Sequence, residues 1–177
     1  MTSRQLIVMR HAKAGPYTAT DHERELTARG MRDATAAGTW LASKALLPDH
    51  AVVSSATRTT QTWEAVATAS GSEVKADLTD ALYNASPLEV IEVLRGVPDD
   101  VERLIFVGHN PTSEHLANLL DDGEGESEAV TLMREGYPTS ALTVFDVPAP
   151  WVDLERDSCR VVACHIGRGH IGRGHTA

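Results

Sequence analysis

Three short apolar runs in this chain each stop at a polar cluster that carries a basic or titratable side chain. Residues 5–9 (QLIVM) lead into Arg10 and His11, residues 51–55 (AVVSS) lead toward Arg58, and residues 103–108 (RLIFVG) lead into His109. Runs this short, apolar and rich in β-branched residues read as buried strands, the kind found in a parallel sheet covered by helices. In open α/β sheets, ligands sit beyond the carboxyl ends of the strands, so residues distant in sequence converge there. The pattern therefore predicts that Arg10, His11, Arg58 and His109 gather at one pocket.

Helix signals fill the intervals. Thr27 reads as the cap of a helix with apolar Met31, Ala34, Trp40 and Leu41 that ends before Pro48. A second helix is expected from about Thr57 to Ser70, closed by Gly71, and Ser86 and Pro87 open a third. Asn110 and Pro111 read as the N-cap and first position of a fourth. A weak strand is expected near residues 73–76, and two more at residues 141–147 and 159–166. The acidic segment 121–128 reads as a solvated loop. Strands alternating with helices imply an α/β fold: a three-layer α/β/α domain, with a mostly parallel central sheet and antiparallel pairing near the C-terminal end. This domain is expected over residues 1–166. Residues 167–177 are Gly/Arg/His-rich, with the pentapeptide IGRGH spanning 166–170 and again 171–175, and are expected to be a disordered tail.

Charge restricts the ligand. A formal net charge of −9 on 177 residues argues against nucleic acid as a partner, since phosphate backbones select clustered Lys and Arg. A smaller phosphorylated ligand needs local positive charge, which Arg10 and Arg58 supply with guanidinium forks that match phosphate oxygens. An unprotonated nitrogen of His11 is placed to attack phosphorus and hold the group covalently, and His109 to donate to the phosphoryl oxygens. No apolar stretch approaches the roughly 20 residues that span a bilayer, and the start MTSRQLIVMRHA reads as a strand rather than a signal peptide, so a cytoplasmic protein without membrane contact is expected. Cys159 and Cys164 lack zinc-ligand spacing, and His165, His170 and His175 are not read as a dedicated metal site. No metal and no cofactor are expected.

These residues resemble a known group, the histidine phosphatase superfamily with the phosphoglycerate mutase-like fold. LIVMRHAKA resembles its strand followed by Arg-His-Gly, SSATRTTQT its Ser-x-x-x-Arg-x-x-Gln-Thr segment, and FVGHNP its Gly-His motif, in the family's order. The short length and the phrase DHERELTARG resemble the SixA-like phosphohistidine phosphatases, which act on phosphorylated histidine of phosphotransfer domains. The resemblance implies that His11 is the nucleophile, that Arg10, Arg58 and His109 form the phosphate pocket, and that Arg24 and Lys13 touch substrate. It also implies a phosphorylated protein partner.

Two departures matter. Ala12 stands where the family usually has Gly. A Glu that serves many members as general acid corresponds by rough alignment to Asn84, which has no proton to give, leaving Asp80 and Glu89 as substitutes. An imidazole leaving group is a far weaker base than an alkoxide, so the lack of an acid favours phosphohistidine as substrate. Two other readings are a phosphatase of small esters or nucleotide-linked phosphates and a noncatalytic module that binds phosphoprotein.

Overall fold

A computed structural model of the chain describes residues 4–16 and 20–170. Its elements are β1 (Arg4–Arg10), α1 (Ala28–Ser43), β2 (His50–Ser54), α2 (Thr57–Ser70), β3 (Asp77–Thr79), α3 (Pro87–Arg95), β4 (Arg103–Gly108), α4 (Thr112–Leu120), α5 (Ser127–Arg134), β5 (Ala141–Val147) and β6 (Arg160–Ile166). The six strands form one sheet in the order β3-β2-β4-β1-β5-β6. The first four are mutually parallel, and β5 and β6 add on antiparallel.

Alternation along the central strands builds two cores. Leu6 and Val8 point into one layer with Val90, Leu94, Leu116 and Phe106, beneath α3 and α4. Ile7 and Met9 point into the other with Ala34, Leu41, Trp63 and Val66, beneath α1 and α2. These four consecutive β1 residues have no exposed surface. Each such side chain stabilises the fold by about 1.5–3 kcal/mol when removed from water, which is why the run from Leu6 to Met9 carries no polar residue. The expected three-layer α/β/α arrangement is the one observed.

Several local expectations are corrected. The third strand lies at Asp77–Thr79 rather than 73–76, because pairing to β2 (Val52 to Asp77) defines it and not an apolar run of its own. Helix α4 opens at Thr112 rather than Pro111, and Asn110 does not cap it: its Nδ2 donates to Glu114 and to the Tyr137 carbonyl. The supposed acidic loop ends in a helix, α5, whose Met133 is fully buried. Its charge is not all solvated either, since Asp121 is buried and pairs with Arg134 at 2.8 Å.

The tail also differs at its beginning. Gly167 packs against α1 so closely that a Cβ there would lie 2.3 Å from the Asp33 carbonyl oxygen. Gly169 N–H donates to Asp33 Oδ1 (3.0 Å), and Arg168 Nη1 donates to the Thr139 carbonyl (2.9 Å). The packed domain thus runs past Ile166, because glycines allow backbone to lie directly on a helix; residues 171–177, with the second pentapeptide, lie outside the described residues. Among the described residues no helix is long and apolar enough to cross a membrane.

Candidate active site

Strand register builds the site. Arg10 is paired with Gly108 across the parallel β1/β4 ladder, so His11 and His109 leave the sheet side by side. Their ring centroids are 5.4 Å apart with planes at 60°. Strand β2 flanks β4 on its other side, and its last residue, Ser54, meets His109 Nε2 through Oγ at 2.8 Å. Arg58 enters from the first turn of α2, two residues into the helix.

His11 is anchored at every polar position but one. Its N–H donates to the Gly108 carbonyl (2.9 Å), its carbonyl accepts from Ser140 N–H (3.2 Å), and its Nδ1 lies 2.7 Å from the Ala12 carbonyl. A carbonyl only accepts, so Nδ1 carries the proton and Nε2 keeps its lone pair. Burial pushes the His11 pKa down to about 4, with the positive charges of Arg58, Arg10 and Arg24 adding to it against the bond to Ala12. The ring is therefore neutral at physiological pH, with a directed lone pair.

The loop after His11 is held from α2. Ala12 N–H donates to Thr62 Oγ1 (2.9 Å), which itself donates to the Arg58 carbonyl (2.6 Å). Ala12 is fully buried, so its methyl group is accommodated where the family usually has Gly. Thr27 donates to the Lys13 carbonyl through both N–H (2.9 Å) and Oγ1 (3.1 Å), joining the same loop to the start of α1.

The arginines are held by acceptors that leave part of each fork available. Arg10 Nη1 donates to the Tyr137 carbonyl (2.9 Å). Arg58 Nη1 donates to the Asp21 carbonyl (2.7 Å) and Nη2 to Asp21 Oδ2 (3.1 Å). Three buried nitrogens of this cluster, Nε of Arg10, Nε of Arg58 and Nδ1 of His109, have no hydrogen-bond partner among the described residues. Unpaired buried polar groups are costly, and guanidinium N–H groups of this kind suit a polyoxygen anion. Burial also pushes the His109 pKa down to about 3, with help from neighbouring His11 and Arg58.

Of the residues singled out in the sequence, Arg10, His11, Arg58 and His109 are brought together. Arg24 joins them through Asp21, whose Oδ1 it meets at 3.1 Å, while its Nε donates to the Gly15 carbonyl (2.8 Å). Lys13 has an exposed side chain. Among the candidate acids, Asn84 is exposed, and Glu89 is committed to capping α3, its carboxylate accepting from Ser86 N–H at 2.7 Å. Asp80 stands at the rim, almost fully exposed, and accepts from Ser55 Oγ.

Sequence reasoning missed Asp21, His22 and Tyr83. Asp21 joins Arg58, Arg24 and the Tyr83 hydroxyl, and the Tyr83 bond with the two arginines holds its pKa down at about 2. The Tyr83 ring stands 5.5 Å from His109, nearly perpendicular, and His22 lies 5.0 Å from Tyr83. The phrase DHER contained the signal for Asp21 and His22, but only its arginine was drawn from it.

Residues 6–86 match the family model described as histidine phosphatase superfamily (branch 1). An uncharacterized protein of Mycobacterium tuberculosis is 38% identical over 162 residues, which cover 90% of this chain and 100% of that one. The structure of the "Putative Phosphohistidine Phosphatase SixA" from Nakamurella multipartitia superposes with a TM-score of 0.82 at 30% identity, covering 93% of this chain and 96% of that one. A second structure described in the same words, from Agrobacterium tumefaciens, gives 0.75 at 25% identity, covering 92% and 97%. With a two-layered core around a mostly parallel sheet and paired histidines at its carboxyl edge, this chain belongs to the histidine phosphatase superfamily. Within that superfamily it is SixA-like, and its chemistry is that of a phosphatase.

Proposed function

We propose that the protein hydrolyses phosphohistidine on a signalling protein, such as a histidine phosphotransfer domain, through a phosphoryl group carried transiently on His11. The observation that carries this reading is the Nδ1 bond to the Ala12 carbonyl, which leaves Nε2 of a buried, neutral ring as the nucleophile. The substrate phosphoryl group binds with its oxygens on Arg10, Arg58 and His109. Nε2 attacks phosphorus in line, the bond from phosphorus to the substrate imidazole breaks, and that nitrogen takes the electron pair. Water then attacks the phosphorus on His11, the bond to Nε2 breaks, and inorganic phosphate leaves with His11 neutral again.

A tethered acid is dispensable for this substrate. The reference pKa of imidazole is about 6.5, so the leaving nitrogen is readily protonated before or during departure. That agrees with a site where Asn84 and Glu89 take no part and Asp80 is solvated. Lys13 and Arg24 are the groups we expect to meet the partner protein. All charge neutralisation is assigned to side chains, so a metal ion has no task in this scheme.

The experiment is a panel of phosphohistidine protein, aryl phosphate and sugar phosphates assayed side by side. Highest kcat/KM on the phosphohistidine protein supports the reading; equal or better turnover of sugar phosphates would favour a phosphatase of small esters. Binding of phosphoprotein without turnover of anything would leave a recognition module.

A further inference from the structure

Tyr83 belongs to neither core layer, yet it borders two groups of the phosphate pocket. Its ring centroid lies 5.5 Å from that of His109 and 5.8 Å from Arg58 Cζ, and His22 stands against it at 5.0 Å with planes tilted by 56°. The two rings are tethered by their polar tips. The Tyr83 hydroxyl donates to Asp21, and His22 Nε2 meets Ser55 Oγ at 3.0 Å while Ser55 donates to Asp80. The His22 carbonyl further accepts from Thr57 N–H at 3.0 Å, fixing this segment to the start of α2. Both side chains remain partly exposed, that of His22 at 41%. Rigid, partly open aromatic surface beside an anion site is poorly explained by stability alone, since neither ring fills the core.

Sheet order locates this surface relative to the nucleophile. In β3-β2-β4-β1, the strand leading to Tyr83 and the strand leading to His11 are separated by β2, which carries Ser54, and β4, which leads to His109. An in-line displacement expels the leaving group on the side opposite the attacking atom. We infer that Tyr83 and His22 form an aromatic rim that contacts the leaving group and selects phosphates carried on planar rings over phosphates of aliphatic alcohols. This rests on the reading of phosphohistidine as substrate, whose imidazole is such a ring, and it extends to aryl phosphates. A planar group gains an edge-to-face or offset contact that an aliphatic one lacks, expected to be worth roughly three- to tenfold in kcat/KM.

The test compares phenyl phosphate, glycerol phosphate and a phosphohistidine peptide on the full chain and its variants Y83F, Y83L and H22A. Ratios of kcat/KM between substrates cancel any general loss of activity, and circular dichroism checks folding. The phenyl-to-glycerol ratio is expected to fall three- to tenfold in Y83L, chiefly through KM, to fall in the same direction in H22A, and to hold in Y83F, which keeps the ring and loses the bond to Asp21. Equal losses on both substrates in Y83L and H22A would overturn the rim, as would a ratio that falls as far in Y83F as in Y83L. The two proposals separate cleanly. Turnover of the phosphohistidine peptide with an unchanged ratio removes the rim alone, whereas the expected ratio with no turnover of the peptide supports the rim and removes the phosphohistidine reading.

Discussion

His11 and His109 stand one residue beyond a matched pair in the β1/β4 ladder, with ring centroids 5.4 Å apart. The ladder sets the distance between the two rings, so neither depends on a long loop for its position. Two imidazolium rings so close, flanked by Arg10 and Arg58, would repel, and burial pushes both pKa values down, to about 4 for His11 and about 3 for His109.

Stability should therefore depend on pH in a definite direction. Unfolded, each histidine titrates near 6.5; folded, near 4 and 3, so between these values the unfolded chain binds more protons. The stabilising effect is complete above about pH 6.5 and is lost as pH falls toward 4. A thermal melt series from pH 7 to pH 4.5 should show a falling Tm, with a shallower slope in H109N. A slope in H109N as steep as in the parent chain would mean that His109 titrates normally in the fold.

Arg58 holds Asp21 with two donors of one planar fork, and a lysine at that position has no such geometry. Replacing Arg58 by Lys is expected to lower kcat/KM by about 10²–10³, the size seen for loss of one preorganised donor to a reacting anion. Asp21→Asn, which keeps the shape and removes the charge, should cost less, about tenfold, and weaken inhibition by inorganic phosphate in parallel. Steady-state kinetics with phosphate as inhibitor checks both, and wild-type constants in R58K would remove Arg58 from the pocket.

Gly30 lies directly against the loop that follows His11. A Cβ there would sit 2.1 Å from the Lys13 carbonyl oxygen, the atom that Thr27 also grips. Gly30→Ala is expected to destabilise the fold by about 1–3 kcal/mol, as overpacking does, and to lower kcat by displacing the loop. Urea unfolding and turnover measured together test this, and a neutral substitution would show that the loop yields without consequence.

How much of this was legible in the sequence follows from how each feature is encoded. Strands β1, β2 and β4 are apolar on both faces, so their ends could be read, and with them the cluster of Arg10, His11, Arg58 and His109. Strand β3 is three residues defined by its neighbour, and α5 hides Met133 inside an acidic stretch, so composition misled in both places. Gly167 and Gly169 look like linker residues, yet their missing side chains are what lets the chain lie on α1. Asp21, His22 and Tyr83 follow no periodicity. Their importance arises from tertiary contacts with Arg58 and Ser55, which no local pattern announces.

The most direct measurement is to react the enzyme with labelled phosphohistidine protein, quench it in alkaline denaturant within milliseconds, and locate the label by fragmentation mass spectrometry. The label is predicted on Nε2 of His11, and His11→Ala should fold, show no label and turn over no substrate. Label on another residue, or sustained turnover by the H11A protein, would contradict a covalent route through His11.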